Sequence, residues 1–183
     1  MVYLLICSLS ILFLVFSVTY VYHKVNSNTP EARIPTILYF NTMLIVASSF
    51  TLAKAKKHFG QNNIVPYRNS LIQTFALGLV FMAMQILSWW LLDMQGLGIG
   101  VTHSTSYLYL VPIVHMLHII GGIPFIVILI IKSQDAVVDP VKRLLLFSME
   151  NRYLELKNLA IYWHFVGLLW IYIILFFSIV RWF

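Results

Sequence analysis

Apolar residues gather into five long runs, separated by shorter stretches that hold most of the polar residues. The runs cover residues 2–22, 34–53, 70–92, 107–131 and 159–180. A helix needs roughly 20 apolar residues to cross a hydrocarbon layer about 30 Å thick. None of the runs alternates polar with apolar residues, as a spanning strand does. Without water to take up backbone N–H and C=O groups, a run of this kind must satisfy itself as helix. The pattern therefore predicts an all-α membrane protein: five transmembrane helices in a bundle, forming a single domain over residues 1–183.

The connections differ in kind. Residues 23–33 contain Asn-Ser-Asn-Thr-Pro, a loop signal. Residues 54–69 hold Lys54, Lys56, Lys57 and Arg68. Residues 93–106 hold Asp93, Gly96, Gly98 and Gly100, and neither Lys nor Arg. Residues 132–158 form the longest connection. Their later part, 141–158, mixes charged and apolar residues and reads as a short interfacial helix leading into the fifth span.

Composition agrees with the pattern. Of 183 residues, 61% are hydrophobic and 10% charged, against about 25% charged in an ordinary soluble domain. The net charge of +6 is an orientation signal rather than a nucleic-acid signal, because it sits in a few connections. Lys54, Lys56, Lys57, Arg68, Lys132, Lys142, Arg143, Arg152 and Lys157 share the side of the N-terminus. Only Lys24, Arg33 and Arg181 fall opposite. Positive residues stay cytoplasmic, which predicts an N-terminus inside and a C-terminus in the periplasm. Trp89, Trp90, Trp182 and Phe183 would then lie near the outer interface, where aromatic rings anchor. The N-terminus lacks the positive n-region and small-residue cleavage site of a secretory signal. The single Cys7 forms no intrachain disulfide.

Polar groups inside the spans are the candidates for chemistry. In span two, Asn41 and Ser48 are seven residues apart, as are Thr42 and Ser49, so each pair shares a face, and Thr51 follows. A packing seam is preferred over a proton path, because no carboxylate joins it. In span four His115, His118 and Gly122 share a face, between Pro112 and Pro124. Each proline leaves a carbonyl one turn back without its intrahelical donor, and an imidazole N–H would suit such a carbonyl. The competing readings are a metal site, a haem held by His115 or His118 with His164, and a proton relay. An HxxH pair without accompanying carboxylates is a weak metal signal. In span five Tyr162, Trp163 and Trp170 need hydrogen-bond partners when buried. His164 stands beside them, and Gln85 in span three poses the same problem with an amide.

No Asp or Glu lies well inside a span, where an ion-coupled transporter usually needs one. No Cys-x-x-Cys-His haem-attachment motif, phosphate-binding loop or nucleophile with its base occurs. The residues predict a chain without a catalytic site of its own, and with no metal or cofactor ligands.

The ordered motifs Asn41-Thr42, Ser48-Ser49-x-Thr51, Gly78-x-x-Phe81-x-x-x-Gln85, His115-x-x-His118-x-x-x-Gly122 and Tyr162-Trp163-His164-Phe165-Val166-x-x-x-Trp170 resemble subunit III of the haem–copper terminal oxidases. The last motif is the most specific. The resemblance runs through spans two to five and is to the five-helix bacterial form, which lacks the first two helices of the longer one. It implies an accessory subunit in a bacterial inner membrane, serving aerobic respiration and electron transport. Haem and copper belong to partner subunits in that family. Implied partners are oxidase subunit I, the other oxidase subunits, membrane lipids including bound phospholipid, and a respiratory supercomplex. Cytochrome c and quinol oxidases share such a subunit. A small bis-His haem b protein is the alternative of a different class, and a transporter-like or assembly protein leaves the motifs unexplained. The chain departs from the family in three places. Ser8-Leu9 stands where many members have Ser-Glu, Ser88 where a Glu often follows the glutamine, and Gly167 where Asp often follows Trp-His-Phe-Val. Each replaces an acid by a neutral residue, which weakens a proton-carrying role for this subunit.

Overall fold

The computed structural model describes residues 2–26 and 35–180. Arg33, Arg181, Trp182, Phe183 and most of the first connection lie outside the described residues. Six helices follow in order: α1 (Val2–Asn26), α2 (Thr36–Gly60), α3 (Ile64–Met94), α4 (His103–Val138), α5 (Pro140–Ser148) and α6 (Glu150–Val180). Five of them are long and apolar enough to cross a membrane, and no strand occurs among the described residues.

The helices outrun the apolar runs at several ends, because helix continues wherever backbone bonds remain available, whatever the polarity outside. α2 extends past residue 53 to Gly60, carrying Lys54, Lys56 and Lys57 on helix. Lys57 and His58 in its last turn suit the negative end of the helix dipole. The expected connection over 54–69 shrinks to residues 61–63, with Asn62 in the left-handed region at φ 57°. Asn tolerates that conformation better than most residues. The third connection keeps its loop, and Gly96 and Gly100 supply the positive φ values its turns require. Thr102 then caps α4: its hydroxyl accepts from the Thr105 N–H, and the Thr105 hydroxyl accepts from the Thr102 N–H.

The fourth connection departs most from expectation. The interfacial helix expected over 141–158 ends at Ser148, and residues 150–158 belong to α6. The Asp139 side chain accepts from the Val141 N–H and starts α5, with Pro140 in its first turn. Arg152 and Glu155 then pair at 3.0 Å along the first turns of α6, and Glu155 also holds Lys132 of α4 at 3.0 Å. These pairs let charged residues continue a helix that apolarity alone would start near residue 159.

Side-chain partners show that α2 runs antiparallel to α3 and α6, and α4 antiparallel to α6, whereas α1 runs parallel to α6. α2, α3, α4 and α6 form a four-helix core, with α2 and α3 in the most extensive contact. α1 lies outside, against α4 and α6. It buries Leu9, Phe13 and Tyr20 there and leaves Leu4, Ile11, Leu14 and Val18 exposed. Tyr20 meets Tyr107, Phe176 and Phe177 edge-on, Ser17 bonds the Tyr172 hydroxyl at 2.8 Å, and Lys24 donates to the Val180 carbonyl.

Candidate functional site

Several polar residues of spans two to five meet in the interior of the four-helix core. Asn41 and Gln85 are buried and join α2 to α3, the Asn41 amide donating to Gln85 Oε1 at 3.0 Å. The Trp163 indole donates to the Ser48 hydroxyl at 2.9 Å, and the Trp170 indole to the Thr42 hydroxyl at 3.2 Å. These two bonds form a ladder between α2 and α6. Thr51 meets Thr74 of α3 at 2.8 Å between hydroxyls. The Tyr162 hydroxyl donates to the His118 carbonyl of α4 at 2.8 Å.

Trp163 is the centre of this arrangement. Besides Ser48 of α2, its ring lies over Gly78 of α3 and Gly122 of α4. A Cβ at Gly78 would stand 3.4 Å from the ring, and one at Gly122 would stand 3.2 Å from it and 3.1 Å from Tyr162. Gly122 makes room for indole and phenol rings, and nothing lies within 4 Å of a Cβ at Gly121. The close approach at Gly167 is to the Ser49 hydroxyl of α2, 3.1 Å from a Cβ built there. At Gly78, Gly122 and Gly167, then, the missing side chain is matched to a particular neighbour on another helix.

The histidines separate. His115 is buried among Phe13, Phe81 and Trp170, with ring centroids 6.4, 6.1 and 5.1 Å away, and its Nε2 has no hydrogen-bond partner among the described residues. His118 Nδ1 bonds the Val114 carbonyl of its own helix at 2.6 Å. That carbonyl is not one of those freed by Pro112 or Pro124, which are at Leu108 and Ile120. Both prolines sit inside a continuous α4. His164 lines a cavity of about 330 Å³ between α2 and α6, with Ser49, Phe50, Gly167 and Ile171. It thus stands on a different face of α6 from Trp170, the residue His115 touches. No three His, Cys, Asp or Glu side chains converge as metal ligands among the described residues.

Several contacts had weaker sequence signals. Thr74 was legible only as a hydroxyl residue within an apolar run. The Tyr39–Ser178 bond at 3.0 Å and the Tyr109 bond to the Trp89 carbonyl at 3.1 Å join residues far apart in the chain. No local spacing marks such pairs. Ser88 is buried with its hydroxyl unpartnered, as are Asn41 Oδ1 and Gln85 Nε2.

Comparison with known proteins gives relatives over 71–75% of the chain. The chain is 27% identical over 130 residues to the probable cytochrome c oxidase subunit 3 of Nocardia farcinica, covering 71% of this chain and 59% of the relative. It is 26% identical over 140 residues to the cytochrome bo(3) ubiquinol oxidase subunit 3 of Buchnera aphidicola, covering 75% and 66%. With the cytochrome c oxidase subunit 3 of Alkalihalophilus pseudofirmus the identity is 24% over 139 residues, covering 75% and 62%. The chain is thus similar to proteins named subunit 3 of cytochrome c and ubiquinol oxidases. No family model matches it. The match spans about 60% of the length of these subunit 3 relatives. Five candidate spans and this kinship make the chain a multi-pass membrane protein.

Proposed function

We propose that the chain is an accessory, non-catalytic subunit III of a proton-pumping haem–copper oxygen reductase in a bacterial inner membrane. The observation that carries this reading is where the family-like residues meet. Asn41 with Gln85, Ser48 with Trp163, Thr42 with Trp170, and Gly122 with Trp163 are partners drawn from four helices. They hold the core together rather than facing an open reaction site. Haem and copper belong to the other subunits in this reading. The chain covers one side of the catalytic subunit I, fixes phospholipid there and supports proton uptake during electron transport from cytochrome c to oxygen. Its N-terminus is cytoplasmic, on the side of nine of its twelve Lys and Arg residues.

The test is the intact complex prepared with and without this chain. Without it, the haem spectrum should remain and activity should decay faster during turnover. Loss of haem on removing the chain would overturn the reading. One relative is a ubiquinol oxidase subunit, which favours a quinol oxidase as second reading. Turnover of the purified complex with reduced cytochrome c and with quinol separates the two.

A further inference from the structure

Two cavities join end to end between α2 and α6. The first, of about 330 Å³, holds Ser49 and His164 among Ile45, Phe50 and Leu168. The second, of about 540 Å³, continues from it along Val46, Phe50 and Ile171, which line both, to Met43, Ile174 and Leu175. At its far end Tyr39 and Ser178 bond each other at 3.0 Å.

Only the first cavity offers polar groups that nothing takes up. Elsewhere between α2 and α6, Ser48 and Thr42 are paired with indoles. The Ser49 hydroxyl and the His164 imidazole face the cavity from its two walls, and neither finds a hydrogen-bond partner among the described residues. Gly167, one turn along α6 from His164, keeps the space between them open, since a Cβ there would stand 3.1 Å from the Ser49 oxygen. An unpaired donor in apolar surroundings is costly, so a ligand that pairs both groups is favoured.

Depth limits what that ligand is. At about 1.5 Å per residue, Ser49 and His164 each lie roughly 8 Å from the middle of their apolar runs. The hydrocarbon layer ends about 15 Å from its midplane, so the pair sits roughly 7 Å inside it. A phosphate or other charged headgroup is strongly disfavoured there. Lys56, which acts on His164 electrostatically, stands two turns from Ser49 toward the membrane surface and lines neither cavity. The ligand is therefore uncharged, with oxygen at one end to meet an imidazole and a hydroxyl. Its tail is long and apolar, because the groove runs roughly 20 Å from His164 to Ser178. The cavity volumes suit a ring in the first and a tail in the second, and an apolar pocket with few polar groups is the usual form of a small-molecule site.

We propose that this groove binds one isoprenoid quinone or quinol, its ring oxygen bonded by Ser49 and His164 and its tail along Met43, Ile174 and Leu175. Neutral imidazole carries one donor and one acceptor, so it suits the carbonyl of the quinone and the hydroxyl of the quinol alike. The proposal concerns binding alone, requires only membrane insertion, and stands or falls separately from the oxidase reading. The test is decylubiquinone titrated onto the full-length chain in detergent, with bound molecules counted by native mass spectrometry. Wild type should bind one per chain and saturate. Decylbenzene, which keeps a ring and tail but has no oxygen, should bind at least about tenfold more weakly, and His164→Phe should weaken decylubiquinone by about tenfold, as expected from a lost hydrogen bond. Gly167→Val, which fills the space between the two donors, should abolish binding. Ser49→Ala adds no bulk and should weaken binding several-fold, which keeps the test decisive if Gly167→Val fails to fold by circular dichroism. Leu117→Phe, on an exposed part of α4, should bind as wild type does. Absence of saturable binding, equal binding of decylbenzene, wild-type affinity in both His164→Phe and Ser49→Ala, or displacement by equimolar phosphatidylglycerol would each overturn the proposal.

Discussion

Trp163 touches three other helices at once, so its substitutions separate the worth of a hydrogen bond from that of a ring. Trp163→Phe removes the bond to Ser48 and keeps most of the packing. Hydrogen bonds between membrane helices average about 0.6 kcal/mol and rarely approach 2, so a loss of about 1 kcal/mol is expected. Trp163→Ala also empties the space over Gly78 and Gly122 and should cost about 3–5 kcal/mol. Reversible unfolding of the purified chain in mixed micelles reads both. The two glycines of α4 make a sharper comparison. Gly122→Ala drives a methyl against the buried Trp163 ring and the partly buried Tyr162 ring and should destabilise by about 1–3 kcal/mol. Gly121→Ala meets nothing and should be neutral or stabilising by up to about 1 kcal/mol. Equal effects at the two positions would mean that the rings yield easily. At the amide pair, Gln85→Leu alone strands the buried Asn41 amide and should cost about 1–3 kcal/mol. Adding Asn41→Leu should recover most of that loss in the same assay, because neither of the two positions then leaves a buried polar atom without a partner.

At the scale of the elements, the ends of the helices were the hardest part to read, for an identifiable reason. Apolarity marks where the bilayer is, whereas helix ends are decided by caps, turns and charge pairs. α4 starts at a reciprocal Thr102–Thr105 cap, four residues before the fourth apolar run. Thr102→Ala should lower the unfolding free energy by about 1 kcal/mol, and amide hydrogen exchange should rise in the first turn of α4 before anywhere else in that helix. α6 starts nine residues ahead of its apolar run because Glu155 is held by Lys132 and Arg152. The short α5 is all that remains of the longer interfacial helix expected there. In α4 the two prolines leave the helix continuous. Its neighbours and the remaining intrahelical bonds carry the segment past them, as commonly happens inside membranes.

For the whole molecule, the consequence of this architecture is a division between a polar-laced core and an apolar exterior. The four-helix core satisfies the Trp163 and Trp170 indoles and most of its hydroxyls internally, and α1 adds a thin outer layer with much of its apolar surface uncovered. In the proposed role that uncovered surface meets lipid and neighbouring subunits. A complex assembled with Trp163→Ala in this chain should retain its haem absorption and lose activity faster in turnover than wild type. An absorption spectrum altered by that substitution would place the chain much nearer the redox centres than proposed.

The number of long helices and their apolar, membrane-spanning length were legible in the amino-acid sequence. Apolar length is a direct requirement of the bilayer, and a polar residue inside an apolar run must be accounted for wherever it lies. The pairing of those residues was decided only in three dimensions. Asn41 with Gln85, Ser48 with Trp163 and Thr51 with Thr74 depend on which helix lies beside which and at what height, and local spacing carries no such information. The same holds for the histidines. Spacing puts His115 and His118 on one face of α4, but only the packing decides that one is enclosed by rings, the other bonds its own helix, and His164 turns toward a groove on another side.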